Sequence, residues 1–176
     1  ATPMLYAVLH GAEMKIVAGL NNRIPFSLLS QPEIRNGVQL KGKKLGITRF
    51  GSNTDFIARL AAAEFGLNPK TDLTIIQSGS PDARLNAMRA RVIDATFFNL
   101  EQAMDARKLG YNLLLDFIDR DIEYAHIAVI AREDTLKNQP EMLRRFLRAY
   151  VDAIRYHKTH KEEAVKKSLQ LQKNLD

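Results

Sequence analysis

The sequence predicts an α/β fold, mostly parallel sheets flanked by helices. Three observations point to it. Short apolar runs alternate with amphipathic segments across residues 40–118, as βαβ units require. The runs "TIIQS" and "NLLLDF" are apolar enough for strands covered on both faces. Each intervening amphipathic segment opens on a Ser or Asn suited to capping a helix.

The elements follow in order. "TPMLYAVLHGA" reads as a helix with Thr2 as cap and Pro3 at its first position. "KIVAGL" is a strand. Residues 21–36 hold a short apolar piece between Pro25 and Pro32, expected as an edge strand or connector. "KGKKLGIT" is the next strand. Its helix, 54–65, is expected to turn Phe56, Ile57, Leu60, Ala61, Ala63 and Phe65 toward one face, and Gly66 stops it. "DLTIIQS", "VIDATFF", "NLLLDF" and "HIAVIAR" are strands. Helices start at Ser80-Pro81 and at Asn99, and a long helix runs from about Pro140 to about His160 before a last helix, "KEEAVKKSLQLQ".

Composition narrows the function. In 176 residues, 45% are hydrophobic and Gly and Pro are few, so a packed core is expected. Much of the net charge of +6 sits after residue 140, on what read as basic helix faces. No aromatic-interleaved basic motif points to nucleic acid. There is no cysteine, which excludes thiolate metal sites, disulfides and a Cys nucleophile. No apolar run reaches membrane-spanning length.

In an open α/β sheet, ligands bind beyond the carboxyl ends of the strands. Three turns occupy that edge: Gly51–Asp55, Ser78–Asp82 and Phe98–Glu101. Each sets hydroxyls or an amide at a helix N-terminus, where free N–H groups and the helix dipole favour anions. Ser, Thr, Asn and Asp are also ordinary caps, and Ser52 with Asp55 resembles a capping box. One cap needs one side chain, whereas "GSNTD" supplies four polar residues beside a glycine. That turn is therefore read as a ligand wall as well as a cap. Its aspartate counts against a free phosphate, and no phosphate-loop pattern is present.

Catalytic patterns are sparse. His10, His157 and His160 sit at helix ends, where basic residues suit the dipole. His126 opens a strand and could face a cleft, without a Ser or Asp partner by spacing. Glu123 and Tyr124 precede it, either within reach of a ligand or as connector residues. Leu143, Phe146, Leu147, Tyr150, Val151 and Ile154 form an apolar stripe on the long helix, with Arg144, Arg145, Arg148 and Arg155 around much of the rest.

Several segments together carry a resemblance: "LKGKKLGITRFGSNTDFIARLAAAEFGLNP", "GSPDARLNAMRARVIDATFFNLEQAMDARKLGYNLLLD" and "RRFLRAYVDAIRYHKTHKEEA". They resemble the substrate-binding proteins of nitrate/sulfonate/taurine-type ABC importers, and the related pyrimidine-precursor binding proteins of thiamine salvage. The resemblance implies a two-lobed, periplasmic-binding-protein-like fold of type II with the ligand clamped between lobes. Residues 1–36 would be part of lobe one, 37–120 a continuous lobe two, and 121–176 the return to lobe one. It implies ligand contacts from Gly51, Ser52, Asn53 and Thr54, from Asn99, from Thr2, and from Glu123, Tyr124 and Ala125. The chain is expected to be a fragment lacking the N-terminal part of lobe one. Arg91 stands where the family usually has Gly, in a left-handed conformation that should cost about 1 kcal/mol.

The function so implied is capture of a small polar or anionic organic solute and its delivery to an ABC transporter permease. The protein would lie in the periplasm, or be lipoprotein-anchored outside the inner membrane. No catalytic residue, cofactor, metal, nucleic acid or membrane insertion is expected. Two alternatives stand beside it. One is a pyrimidine-precursor synthase-like enzyme, which should carry metal-binding cysteines. The other is the effector-binding domain of a transcriptional regulator.

Overall fold

The computed structural model describes residues 2–173. It separates into two compact units, 1–12 with 19–129, and 13–18 with 130–176. The chain passes between the units within β1 (Met14–Asn21) and within β7 (Ile127–Arg132), which pair as a two-stranded sheet.

The first unit is built on a five-stranded sheet. Its strands are β2 (Ser27–Ser30), β3 (Lys43–Ile47), β4 (Leu73–Gln77), β5 (Ala95–Phe98) and β6 (Asn112–Asp116), in the order β4-β3-β5-β2-β6. β3 is parallel to both β4 and β5. β2 runs antiparallel to β5 and to β6. The fold is thus α/β, as the sequence predicts, with one reversed strand inside the sheet.

That strand is the main departure. "SLLS" between two prolines was expected as an edge strand or connector, yet it is an interior strand and all four residues are buried. Pro25 and Pro32 both lie outside the ladder, so neither removes a donor that the sheet needs. Successive side chains on a strand point to opposite faces. Leu28 joins Phe97, Ile47 and Phe117 in one core cluster, while Leu29 joins Phe98 in another.

Each cluster is closed by a helix. α2 (Asn53–Glu64) brings Ile57, Ala58, Ala61 and Ala62 to the first, and α4 (Leu100–Lys108) brings Ala103 and Ala106 to the second. The buried stripe of α2 is rotated from the expected one. Ala63 is exposed, and Phe56 is 41% exposed and stacks on Tyr124 instead. α3 (Pro81–Arg89) buries Met88 and, unexpectedly, Arg84. α1 (Thr2–Leu9) buries Thr2 and leaves Leu5 and Leu9 exposed.

The second unit contains α5 (Glu133–Asn138), α6 (Pro140–Thr159) and α7 (Lys161–Lys173). Glu133 joins α5 to the 13–18 segment by an N–H bond to the Glu13 carbonyl at 3.0 Å and an ion pair with Lys15 at 3.6 Å. Among its described residues only two hydrophobic side chains are buried, Ala131 and Ala164. The apolar stripe of α6 forms at the expected positions, and no residue of that helix is buried. A unit with so little buried area cannot gain much from the hydrophobic effect.

Arg91 has φ +54°, the one non-glycine residue with positive φ among those described. Its side chain forms an exposed ion pair with Glu33. Both Arg91→Gly and Arg91→Ala lose that pair, but only glycine relieves the left-handed backbone. Arg91→Gly is therefore expected to be about 1 kcal/mol more stable than Arg91→Ala in urea unfolding. Equal stabilities would contradict a strained position.

Candidate functional site

The turn after β3 is assembled by its own short side chains. Gly51 has φ +74°, and a Cβ there would meet nothing closer than Tyr6 at 3.9 Å. Glycine serves the backbone conformation here rather than a tight packing contact. Ser52 caps α2, its Oγ accepting from the Asp55 N–H at 3.4 Å. The Thr54 Oγ1 accepts from the Thr48 N–H at 2.8 Å and lies 3.0 Å from the Ser52 Oγ. Both hydroxyls are buried and committed within the turn.

Asp55 reaches back one residue further than a capping box would, accepting from the Gly51 N–H at 2.9 Å. Its other oxygen pairs with Arg59 at 2.9 Å, one helical turn along. The carboxylate that counted against an anion is thus neutralised by a neighbour. The Phe50 N–H is taken by the Gln77 side chain at 2.8 Å, which ties the turn to the end of β4. The N–H groups of Asn53 and Thr54 have no acceptor among the described residues. They are two of the orphan donors that every helix start leaves.

A second layer brings together residues far apart in sequence. The Thr2 hydroxyl bonds the Tyr124 hydroxyl across 122 residues. The Tyr124 O–H donates to Asn53 Oδ1 at 3.0 Å, and Asn53 Nδ2 donates to His126 Nδ1 at 3.1 Å. The directions are forced. Tyr124 has one proton, which goes to Asn53, so Thr2 must donate to the phenol oxygen. An amide nitrogen only donates, so His126 Nδ1 must accept and the ring carries its proton on Nε2. The Phe56 ring stacks on Tyr124 at 5.3 Å, and Phe26 meets His126 edge-on at 5.2 Å.

Burial acts on this layer consistently. Desolvation pushes the Tyr124 phenol above its ordinary value, with the Thr2 bond opposing, so the phenol stays protonated. Desolvation holds the His126 imidazole below its ordinary value. A neutral ring is also what the Asn53 bond requires.

Of the residues expected at the site, Thr2, Asn53 and Tyr124 are joined directly, and Gly51, Ser52 and Thr54 form the adjoining turn. Asn99 caps α4, its Oδ1 accepting from the Gln102 N–H at 2.9 Å, and lines a separate open hollow with Leu100, Met104 and Ile118. No hydrogen bond joins it to the Tyr124 group among the described residues. Glu123 is exposed and makes no hydrogen bond or ion pair among the described residues. Among those residues no His, Cys, Asp and Glu group could hold a metal ion, and no helix is long and apolar enough to cross a membrane.

Sequence reasoning missed Arg84. It is 2% exposed, and its guanidinium donates to Thr48 Oγ1 at 2.8 Å, to the Gly79 carbonyl at 2.7 Å and to the Phe97 carbonyl at 3.1 Å. Arg84 and the buried Met88 are four residues apart on α3. That spacing places both on one face, which was the available signal.

A family model described as NMT1/THI5 like matches residues 1–164. The chain belongs to that family. No curated protein matches it in sequence. Among solved structures it resembles the alkanesulfonate-binding protein SsuA from Xanthomonas axonopodis pv. citri bound to MOPS. The TM-score is 0.77 at 18% identity, over 94% of this chain and 57% of that one. It resembles the periplasmic aliphatic sulphonate binding protein SsuA from Escherichia coli with TM-score 0.70 at 18% identity, over 92% and 55%. For the periplasmic nitrate-binding protein NrtA from Synechocystis PCC 6803 the values are 0.63 and 19%, over 79% and 41%. The fold is therefore that of periplasmic binding proteins, and the chain spans about half the length of these relatives.

The depressed His126 value has a testable sign. The unfolded chain takes up this proton near the ordinary value of 6.5, and the folded chain only at lower pH. Between the two the unfolded state holds more protons, so stability present above that value is lost as pH falls toward the folded one. Urea midpoints measured from pH 7.5 down to 5 should fall more steeply for the wild type than for His126→Gln. Parallel curves would contradict a desolvated, neutral imidazole.

Proposed function

We propose that this chain is part of the solute-binding component of an ABC importer. It binds a small polar or anionic organic solute at the Gly51–Thr54 turn, acts outside the inner membrane and hands the solute to a permease. The observation that carries this reading is the pair of unengaged N–H groups of Asn53 and Thr54. They open a twelve-residue helix beside Gly51, with the Asp55 charge offset by Arg59. Such a helix start attracts oxyanions through both its amides and its dipole. Thr2 and Tyr124 support the same turn through Asn53, and Asn99 and Glu123 are the remaining contact candidates.

One further point supports a binding role. The similar solved proteins are, by their own descriptions, binders of sulfonates and of nitrate, small oxyanions of the kind a helix start accepts.

Thermal unfolding against methanesulfonate, longer sulfonates, nitrate, aromatic carboxylates and aminopyrimidines tests the reading. A binder stabilises the fold by about 2.7 kcal/mol at a hundred times its dissociation constant, so one class should raise Tm with increasing concentration. Ser52→Ala and Thr54→Ala unmake the turn and should each weaken that solute about tenfold, roughly 1.4 kcal/mol. Affinity unchanged in both variants would refute the site.

A further inference from the structure

Arg84 occupies an unusual place. β3, β4 and β5 are neighbours running in the same direction, and each offers an oxygen at or just beyond its carboxyl end to this one guanidinium: Thr48 Oγ1, the Gly79 carbonyl and the Phe97 carbonyl. All three acceptors are uncharged. No carboxylate pairs with Arg84 among the described residues, and desolvation alone displaces its pKa, downward. Its Nε is buried without a partner.

A buried cation held only by neutral oxygens is a poor stability device, since apolar residues of similar volume often serve the fold as well or better. What the fork does achieve is geometric. Each strand end it holds leads into a capped helix start: Ser52 before α2, Ser80 before α3 and Asn99 before α4. A planar guanidinium presents several donors in fixed directions, so fixing one acceptor fixes the others. The Thr48 contact is shared with the ligand turn, because the Thr48 N–H is held by Thr54.

We propose that Arg84 is a positioning residue of the binding edge, a three-way clasp that holds the turns after β3, β4 and β5 in one register. Its role in binding rests on the solute-binding reading above, whereas the clasp itself can be measured without any ligand. The two can therefore fail separately.

The test is amide hydrogen exchange of the ligand-free protein, compared among wild type, Arg84→Met and Arg84→Lys. In Arg84→Met, the hydrogen-bonded amides of the three turns, Thr48, Phe50, Gly51, Asp55, Ser78, Gly79, Ala83 and Gln102, should exchange about tenfold faster or more, while 27–30 and 112–116 keep wild-type rates, the pattern of local rather than global opening. Arg84→Lys keeps the charge but has one donor centre, so it should not restore protection at all three turns. If Arg84→Met fails to fold cooperatively, Arg84→Lys carries the same expectation of loosening confined to the turns. A uniform rise across the whole sheet would assign Arg84 to core stability alone and overturn the clasp. So would wild-type rates at the three turns, or full restoration by lysine.

Discussion

The pairing of β2 with β5 is the constraint on which the first unit depends. Eight residues, Ser27–Ser30 opposite Ala95–Phe98, are all buried, and they split the core into two clusters by alternation alone. Leu28 and Phe97 face one helix layer, and Leu29 and Phe98 the other. Burying side chains of this size contributes roughly 1.5–3 kcal/mol each, so this short ladder concentrates much of the fold's driving force. It also decides what can lie beside it. β5 accepts β3 on its free side, β3 accepts β4, and the three parallel strands end along one edge. The carboxyl-end turns are neighbours because the middle of the sheet is packed this way.

What the edge then presents follows from local chemistry. The "GSNTD" turn is a cap and more than a cap. Ser52, Thr54 and Asp55 spend their side chains on the turn's own backbone and on each other, which leaves Asn53 to reach outward to Tyr124 and His126. The hydroxyls shape the turn, and the free amides of Asn53 and Thr54 are its open valences. Four polar residues beside a glycine are needed because one makes the cap, two brace the loop and one joins it to the rest of the unit.

Much of this was legible in sequence. The alternation of elements and the Ser52, Ser80 and Asn99 caps rest on local chemistry and form as read, and the left-handed Arg91, expected from the family resemblance, forms too. The misreadings share a cause. Four residues between prolines are too few to reveal a period, so the interior position of β2 was hidden. Phe56 was assigned inward by apolarity, but its ring stacks on Tyr124, a partner 68 positions away that periodicity does not see. Arg84 was overlooked, although its spacing from Met88 placed it on the buried face. His126 had no partner by spacing, and finds Asn53 only once the chain returns after β6.

The account stands or falls on whether the start of α2 receives a ligand. A titration of the ¹⁵N-labelled protein with methanesulfonate and nitrate, followed by amide NMR, addresses this directly. Saturable shifts centred on the Asn53 and Thr54 amides, larger than those at the Ser80 and Asn99 helix starts, are the result the account predicts. Saturable shifts that leave Asn53 and Thr54 unmoved would contradict it.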